Sequence, residues 1–250
     1  WQTGVSGFRR QVVLKRIHPH LSEDPSFVDM FLREARIASE LSHPNIIDVY
    51  EVLNENGLII VMEYVRGQSV SAMMKRLKRQ KDRMPLGTAV HIVSTVCRAL
   101  DYAFNSVGPD NRPRAVIHRD VTPSNVLVSM DGQVRLVDFG VAKTLGSGKA
   151  LTRTGAVIGK YGYMAPEQLR AEPLDQRADL YSAAVMLYEM VAMKRLFRRE
   201  SDVETFKAVM EHDVVPPVQL PGGCPHELSD IIMKGLSFDR ENRYSRGREM

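Results

Sequence analysis

Between Val116 and Val128 the chain reads VIHRDVTPSNVLV: two β-branched stretches enclose a polar loop in which His118, Arg119 and Asp120 are followed five residues on by Asn125. Such runs bounded by turn formers read as strands, so the loop joins one strand over Ala115 to His118 to another over Val126 to Ser129. A third, Val134 to Val137, follows an Asp131-Gly132 turn. Directly behind it stands Asp138-Phe139-Gly140. A stretch rich in glycine and threonine then leads, without clear periodicity, to Ala165-Pro166-Glu167. An aperiodic segment of that length inside a compact domain is usually functional.

Upstream, strand and helix patterns alternate. After a turn from Gly4 to Gly7, Gln11 to Ile17 reads as a strand containing Lys15. Asp24-Pro25 marks a helix start, because proline is tolerated at the first helical position. Phe27, Met30, Phe31, Ala38 and Leu41 recur at helical spacing, and Glu34 falls within the same helix, which Pro44 ends. Two apolar runs, Ile46 to Leu53 and Leu58 to Val65, flank Asn54 to Gly57 as a hairpin. Beyond Gly67 the pattern becomes helical, with Val90, Val93, Cys97, Leu100 and Phe104 as one buried stripe. Arg177 to Met193, Val203 to Glu211 and Glu227 to Ser237 are the later helices, separated by Pro216-Pro217 and Pro221 to Pro225.

Composition removes several classes. At 250 residues, 44% hydrophobic and 26% charged, the chain can bury one or two sizeable cores. Its apolar stretch Ala183 to Met193 is broken by Glu189 and is far shorter than the ~20 residues of a bilayer span. Trp1 to Arg10 lacks a signal-peptide core, and Cys97 and Cys224 are the only cysteines, one a buried thiol and the other a loop residue without a partner. A reducing, cytoplasmic setting fits, with any membrane tether outside this segment. The net charge of +4 is modest. The run Lys75, Arg76, Lys78, Arg79, Lys81 and Arg83 reads as a solvated helix face, and no aromatics interleave with it as a nucleic-acid surface would require.

The string around Asp120 resembles the protein-kinase catalytic loop H-R-D-x-x-x-x-N, and the two later triplets resemble that family's D-F-G and A-P-E, in the family's order. Over essentially its whole length the chain is similar to Hanks-type, eukaryotic-like bacterial serine/threonine kinase catalytic domains. Its H-R-D-V-T-P-S-N and G-K-Y-G-Y-M-A-P-E forms look like those of myxobacteria-like lineages. The resemblance implies an α+β, two-lobed fold: a small lobe over 1–65 with an antiparallel sheet and one helix, and a larger, mainly helical lobe over 66–250 whose last helix is incomplete. It also implies ATP with Mg²⁺ or Mn²⁺, a protein substrate bearing serine or threonine, and homodimerisation as a route to autophosphorylation in trans.

Phosphoryl transfer asks for positioning and charge neutralisation more than covalent help. By resemblance, Asp120 orients the substrate hydroxyl and accepts its proton, a role worth roughly 10²- to 10⁴-fold. Asn125 and Asp138 offer the hard oxygens that Mg²⁺ prefers. Lys15 matches the nucleotide lysine and Glu34 its helix partner. Val13, where the family usually has alanine, and Leu127 correspond to the adenine roof and floor, Met62 to the gatekeeper and Glu63 to Val65 to the hinge. Arg119 corresponds to the receiver of a phosphate on the activation segment, with Thr152 and Thr154 ahead of Ser147 as its carriers. Glu167 and Arg243 resemble the ion pair that staples that segment to the large lobe, and Asp179 the residue that holds the catalytic-loop backbone. Without the resemblance, Lys15 is a strand-edge lysine, Glu34 a solvated helix residue, Asp120 a buried hydrogen-bonded carboxylate and Asn125 a turn former.

Two departures stand out. No G-x-G-x-x-G precedes Lys15, so the chain reads as a fragment beginning inside the small lobe, the alternative being a pseudokinase scaffold or binding module. The family's usual lysine two residues after the catalytic aspartate and its threonine before A-P-E are here Thr122 and Lys160, a reciprocal exchange that could return an ammonium to the phosphate from the opposite wall. The missing lysine also loosens the assignment of serine/threonine over tyrosine. A small-molecule phosphotransferase would share the two aspartates and Asn125, but not the docking segment.

Overall fold

The computed structural model describes residues 2–3, 7, 9–54, 57–108, 111–139 and 161–250. Gln2–Thr3 (β1) and Arg9–Arg10 (β2) pair antiparallel on either side of the Gly4 to Gly7 stretch. Val12–Arg16 (β3) lies against Leu58–Glu63 (β5), which also pairs with Val49–Asn54 (β4), giving the order β3-β5-β4. In this register Val13 stands opposite Met62 and Lys15 opposite Ile60.

A single turn, Pro19–Ser22 (α1), precedes Pro25–Ser39 (α2). The Asp24 side chain caps α2 by accepting the Ser26 N–H at 2.9 Å, and Pro25 occupies the start, where its missing N–H costs nothing. Phe31, Ala35 and Ala38 recur on one face of the helix. Phe31 and Ala35 join Ile17, Ile60 and Met62 in the small-lobe core.

Gly67–Ser69 (β6), Val126–Ser129 (β7) and Val134–Leu136 (β8) form a second three-stranded sheet. A Cβ on Gly67 would overlap the Val128 carbonyl, so the close approach of β6 to β7 requires glycine there. This sheet is tied to the small lobe through Ile47 N–H to Leu136 O at 3.0 Å and Leu136 N–H to Asn45 O at 2.8 Å.

The larger lobe is built from Val70–Arg79 (α3), Leu86–Phe104 (α4), Pro166–Leu169 (α5), Gln176–Ala192 (α6), Asp202–Glu211 (α7) and His226–Gly235 (α8). Helix α6 is buried on every side from Ala178 to Val191, as expected of a helix that is apolar all round. Asp175 caps its start, and Met193 ends it in the left-handed conformation at φ 53°. A reciprocal capping box, Ser201 with Glu204, opens α7.

Four readings of the sequence are corrected. Ala115 to His118 forms no strand: Ala115 takes φ 47°, and the N–H groups of His118 and Arg119 go to a side chain instead of a ladder. Strand β6 carries no alternation that would have announced it. Val90 is 41% exposed, because the buried arc of α4 centres on Ala89, Ile92, Val96, Ala99 and Ala103, about 100° away along the helix. Arg83 is exposed, as read, but lies beyond α3 rather than on its face, and it donates to Val191 O at 2.7 Å and Gly222 O at 2.8 Å, satisfying a carbonyl at the end of α6.

Candidate active site

Alternation along β3 places Val13 and Lys15 on one face. Lys15 Nζ donates to Glu34 Oε1 of α2 at 2.7 Å and to Asp138 Oδ1 at 2.8 Å. Burial alone would lower the pKa of this ammonium. The Asp138 and Glu34 carboxylates outweigh that effect and raise it above the ordinary value, so Lys15 is charged. Asp138 follows β8 in the left-handed region at φ 58°, a conformation that aspartate tolerates better than most side chains. Phe139 beside it is fully buried and its ring lies 4.6 Å from that of His118.

Asp120 and Asn125 meet within their loop. Asn125 Nδ2 donates to Asp120 Oδ2 at 3.0 Å and to Asp120 O at 2.9 Å. With both bonds made through Nδ2, the amide oxygen is left as an acceptor. His118 holds the same loop: its Nδ1 accepts the Asp120 N–H at 3.2 Å, which leaves the proton on Nε2 to reach Val137 O at 3.1 Å. Asp179 of α6 accepts the His118 N–H and the Arg119 N–H, both at 2.7 Å, and Arg119 sits at φ 66°. Burial pushes the Asp179 carboxyl up to about 7, against the pull of those two donors and of the Arg119 charge. Gln168 Nε2 donates to Arg119 O at 3.0 Å. Arg119 Nε and the buried Thr122 Oγ1 find no partner among the described residues.

The expected adenine-cleft positions lie along the edge between the sheets. Val13 is 38% exposed at the open side, Met62 is buried in the small-lobe core, and Glu63, Val65 and Leu127 are half-buried. The Glu63 carboxylate receives Arg135 Nε at 3.2 Å. Behind Met62 only about 10 Å³ remains, between Ala35, Ala38, Ile47, Ile60 and Phe139. Glu167 and Arg243 form the expected buried pair, at 2.7 and 2.9 Å. Gly140, Ser147, Thr152, Thr154 and Lys160 lie outside the described residues.

Among the described residues no group of three or more His, Cys, Asp or Glu side chains could hold a metal by itself. The Asn125 amide oxygen and the Asp138 carboxylate are nevertheless hard donors of the kind Mg²⁺ takes when substrate phosphates complete its shell. No helix among the described residues is long and apolar enough to cross a membrane. Sequence reasoning passed over the roles of Gln168 and of the two His118 ring nitrogens. The place of His118 beside Arg119 and Asp120 carried a signal for the latter, whereas nothing in spacing marks Gln168.

The Asp120 and Asn125 loop is tied by the Val137 N–H to Asn125 O bond, at 2.9 Å, to the strand end that carries Asp138 and its Lys15 contact, and residues 6–249 match the protein kinase domain family. The chain belongs to that family. It is 40% identical over 242 residues to a tyrosine-protein kinase, MasK, of Myxococcus xanthus, covering 96% of this chain and 37% of that protein. It is 35% identical over 246 residues to the serine/threonine-protein kinase PknB of Mycobacterium leprae, covering 96% of this chain and 38% of that one. The chain thus spans less than two-fifths of the length of these relatives. Among solved structures, the kinase domain of PknI from Mycobacterium tuberculosis superimposes with a TM-score of 0.66 at 26% identity, over 98% of this chain and 84% of that one. The fold is α+β, with a small antiparallel sheet lobe and a helical lobe, as the motifs implied.

Proposed function

We propose that this domain transfers the γ-phosphate of ATP to serine or threonine hydroxyls of a protein substrate; the reading is carried by the Lys15, Glu34 and Asp138 cluster and the Asp120 and Asn125 pair, which the Val137 N–H ties together by donating to Asn125 O at 2.9 Å beside Asp138. Asp120, with its backbone held by His118 and one carboxylate oxygen held by Asn125, orients the incoming hydroxyl and accepts its proton. Lys15 faces the nucleotide phosphates and is kept on station by Glu34. Asn125 and Asp138 would hold Mg²⁺, which when bound neutralises charge on the phosphoryl oxygens. Val13, Met62, Leu127 and the stretch Glu63 to Val65 line the adenine side.

Arg119 has a buried Nε without a partner among the described residues, and the reading gives it a phosphate on Thr152 or Thr154 as ligand. The relatives named as serine/threonine kinases favour those acceptors, and the relative named as a tyrosine kinase favours a phenol instead. Labelled ATP with Mg²⁺ and matched peptides bearing Ser, Thr or Tyr decide between them. Transfer to Ser or Thr that disappears in Asp120→Asn supports the proposal; transfer to Tyr alone replaces its acceptor class; folded protein silent with all three favours a scaffold.

A further inference from the structure

The basic run along α3 divides into two faces. Ser71, Met74, Lys75 and Lys78 follow one another at helical spacing and line one side of a groove of about 210 Å³, while Arg76 and Arg79 lie off that stripe. Met193, Lys194 and Arg195, the turn after α6, form the other side. Lys75, Lys78 and Lys194 make no ion pair among the described residues, and no carboxylate lines the groove. The nearest acid engaged with these walls, Glu189, is turned inward and 2% exposed. It accepts from Arg195 Nη1 at 2.7 Å, Tyr163 O–H at 2.6 Å and Leu196 N–H at 3.1 Å. Three lysine charges therefore stand uncompensated in a concave site with an apolar strip of two methionines.

Both walls are tied to segments that meet at the candidate active site. The Ser71 N–H donates to Pro123 O at 2.8 Å, three residues past Asp120 in the same loop. Arg195 bonds the Tyr163 hydroxyl, in the segment leading to Ala165-Pro166-Glu167. A ligand lying in the groove would thus extend from the neighbourhood of the catalytic loop.

We infer that this groove receives an acidic segment of the protein substrate flanking its acceptor hydroxyl, an inference that rests on the kinase reading above. The match is one of charge and shape: carboxylates meet Lys75, Lys78 and Lys194 while apolar side chains lie on Met74 and Met193. The substrate class is accordingly acidic rather than basic around the acceptor.

The test measures binding by fluorescence anisotropy with labelled serine peptides identical except for a flanking triplet of Glu, Gln or Lys. It uses the wild type, Lys75→Glu/Lys78→Glu, and Arg76→Glu/Arg79→Glu as the control on the other face. The Glu peptide binds about tenfold tighter than the Gln peptide, as expected for a few exposed ion pairs acting together. That preference is lost in the first variant, which turns to the Lys peptide, and is retained in the second, with melting temperatures unchanged in both. Equal affinity for the Glu and Gln peptides, or an equal loss in both variants, overturns the proposal. A parallel sedimentation with phosphatidylserine vesicles overturns it too if Lys75→Glu/Lys78→Glu abolishes vesicle binding while peptide binding is unchanged, which would assign the groove to a membrane. Turnover of the same peptides separates the two readings: charge-selective binding without phosphate transfer removes the kinase reading and leaves the groove, and transfer indifferent to charge does the reverse.

Discussion

Replacing Arg243 by alanine should unfold this domain at a much lower temperature than any exposed substitution would. All of its hydrogen-bonding capacity is spent: Nε on Ser237 O at 2.7 Å, Nη1 on Glu167 Oε1 at 2.7 Å and Arg177 O at 3.3 Å, Nη2 on Glu167 Oε2 at 2.9 Å and Phe238 O at 3.0 Å. The two side chains are 0% and 4% exposed, so solvent replaces none of these bonds when the guanidinium goes. Its plane also lies over Tyr181, 4.7 Å from the ring centre. Truncation leaves a buried carboxylate without its counter-charge, a change that costs about 3 to 5 kcal/mol. For a chain of this length each kcal/mol is roughly 2 to 4 °C, which gives a fall of roughly 6 to 20 °C by calorimetry. Glu167→Leu combined with Arg243→Met removes both charges and keeps volume, and should recover most of that fall, because the stranded ion and not the missing contact is the larger penalty. A drop under about 3 °C for Arg243→Ala, or a double variant as unstable as the two singles summed, would refute the reasoning.

Lys15→Met should lower phosphate transfer by at least about 100-fold with the fold intact by circular dichroism. Glu34→Gln should cost about tenfold, because Asp138 still holds the ammonium and one charge-assisted bond is worth about 1.5 to 3 kcal/mol. Asp179 keeps its proton up to about 7 when folded and loses it near the ordinary carboxylate value when unfolded. Its contribution is therefore full below about pH 4 and declines as the pH rises through 7, by up to about 1.4 kcal/mol per pH unit. Melting temperatures of wild type and Asp179→Asn at pH 5 and pH 8 should show the wild type falling further than the variant, and parallel curves would contradict this. Gly67→Val should destabilise by about 1 to 3 kcal/mol and raise the KM for ATP, since it drives Val128, next to Leu127, off its neighbour strand; an unchanged urea midpoint would exclude it.

The candidate site was more legible in the sequence than some of the frame around it. Asp120, Asn125, Asp138 and Ala165-Pro166-Glu167 announce themselves because the proposed chemistry would fix both residue type and order. Asp24-Pro25 and the hairpin around Asn54 to Gly57 were equally readable, since caps and turns act locally. What escaped was decided at long range. Ala115 to His118 has a strand-like composition, yet its His118 N–H, like that of Arg119 beside it, goes to Asp179, some sixty residues away. Arg83 looks like its lysine neighbours until the end of α6 arrives beside it. Val90 was misjudged because helical periodicity gives a stripe, and its centre is set only by what packs on it.

The suspension of the His118 to Asp120 loop from α6 has a consequence for how the protein breathes. Surface loops normally open many times before the whole molecule does, but the amides of His118 and Arg119 are anchored to the interior of the most enclosed helix in the structure. Deuterium should therefore enter these two positions almost as slowly as it enters α6 itself. A site whose reference point opens only when the large lobe melts can keep its geometry while sequence drifts across the rest of its exterior.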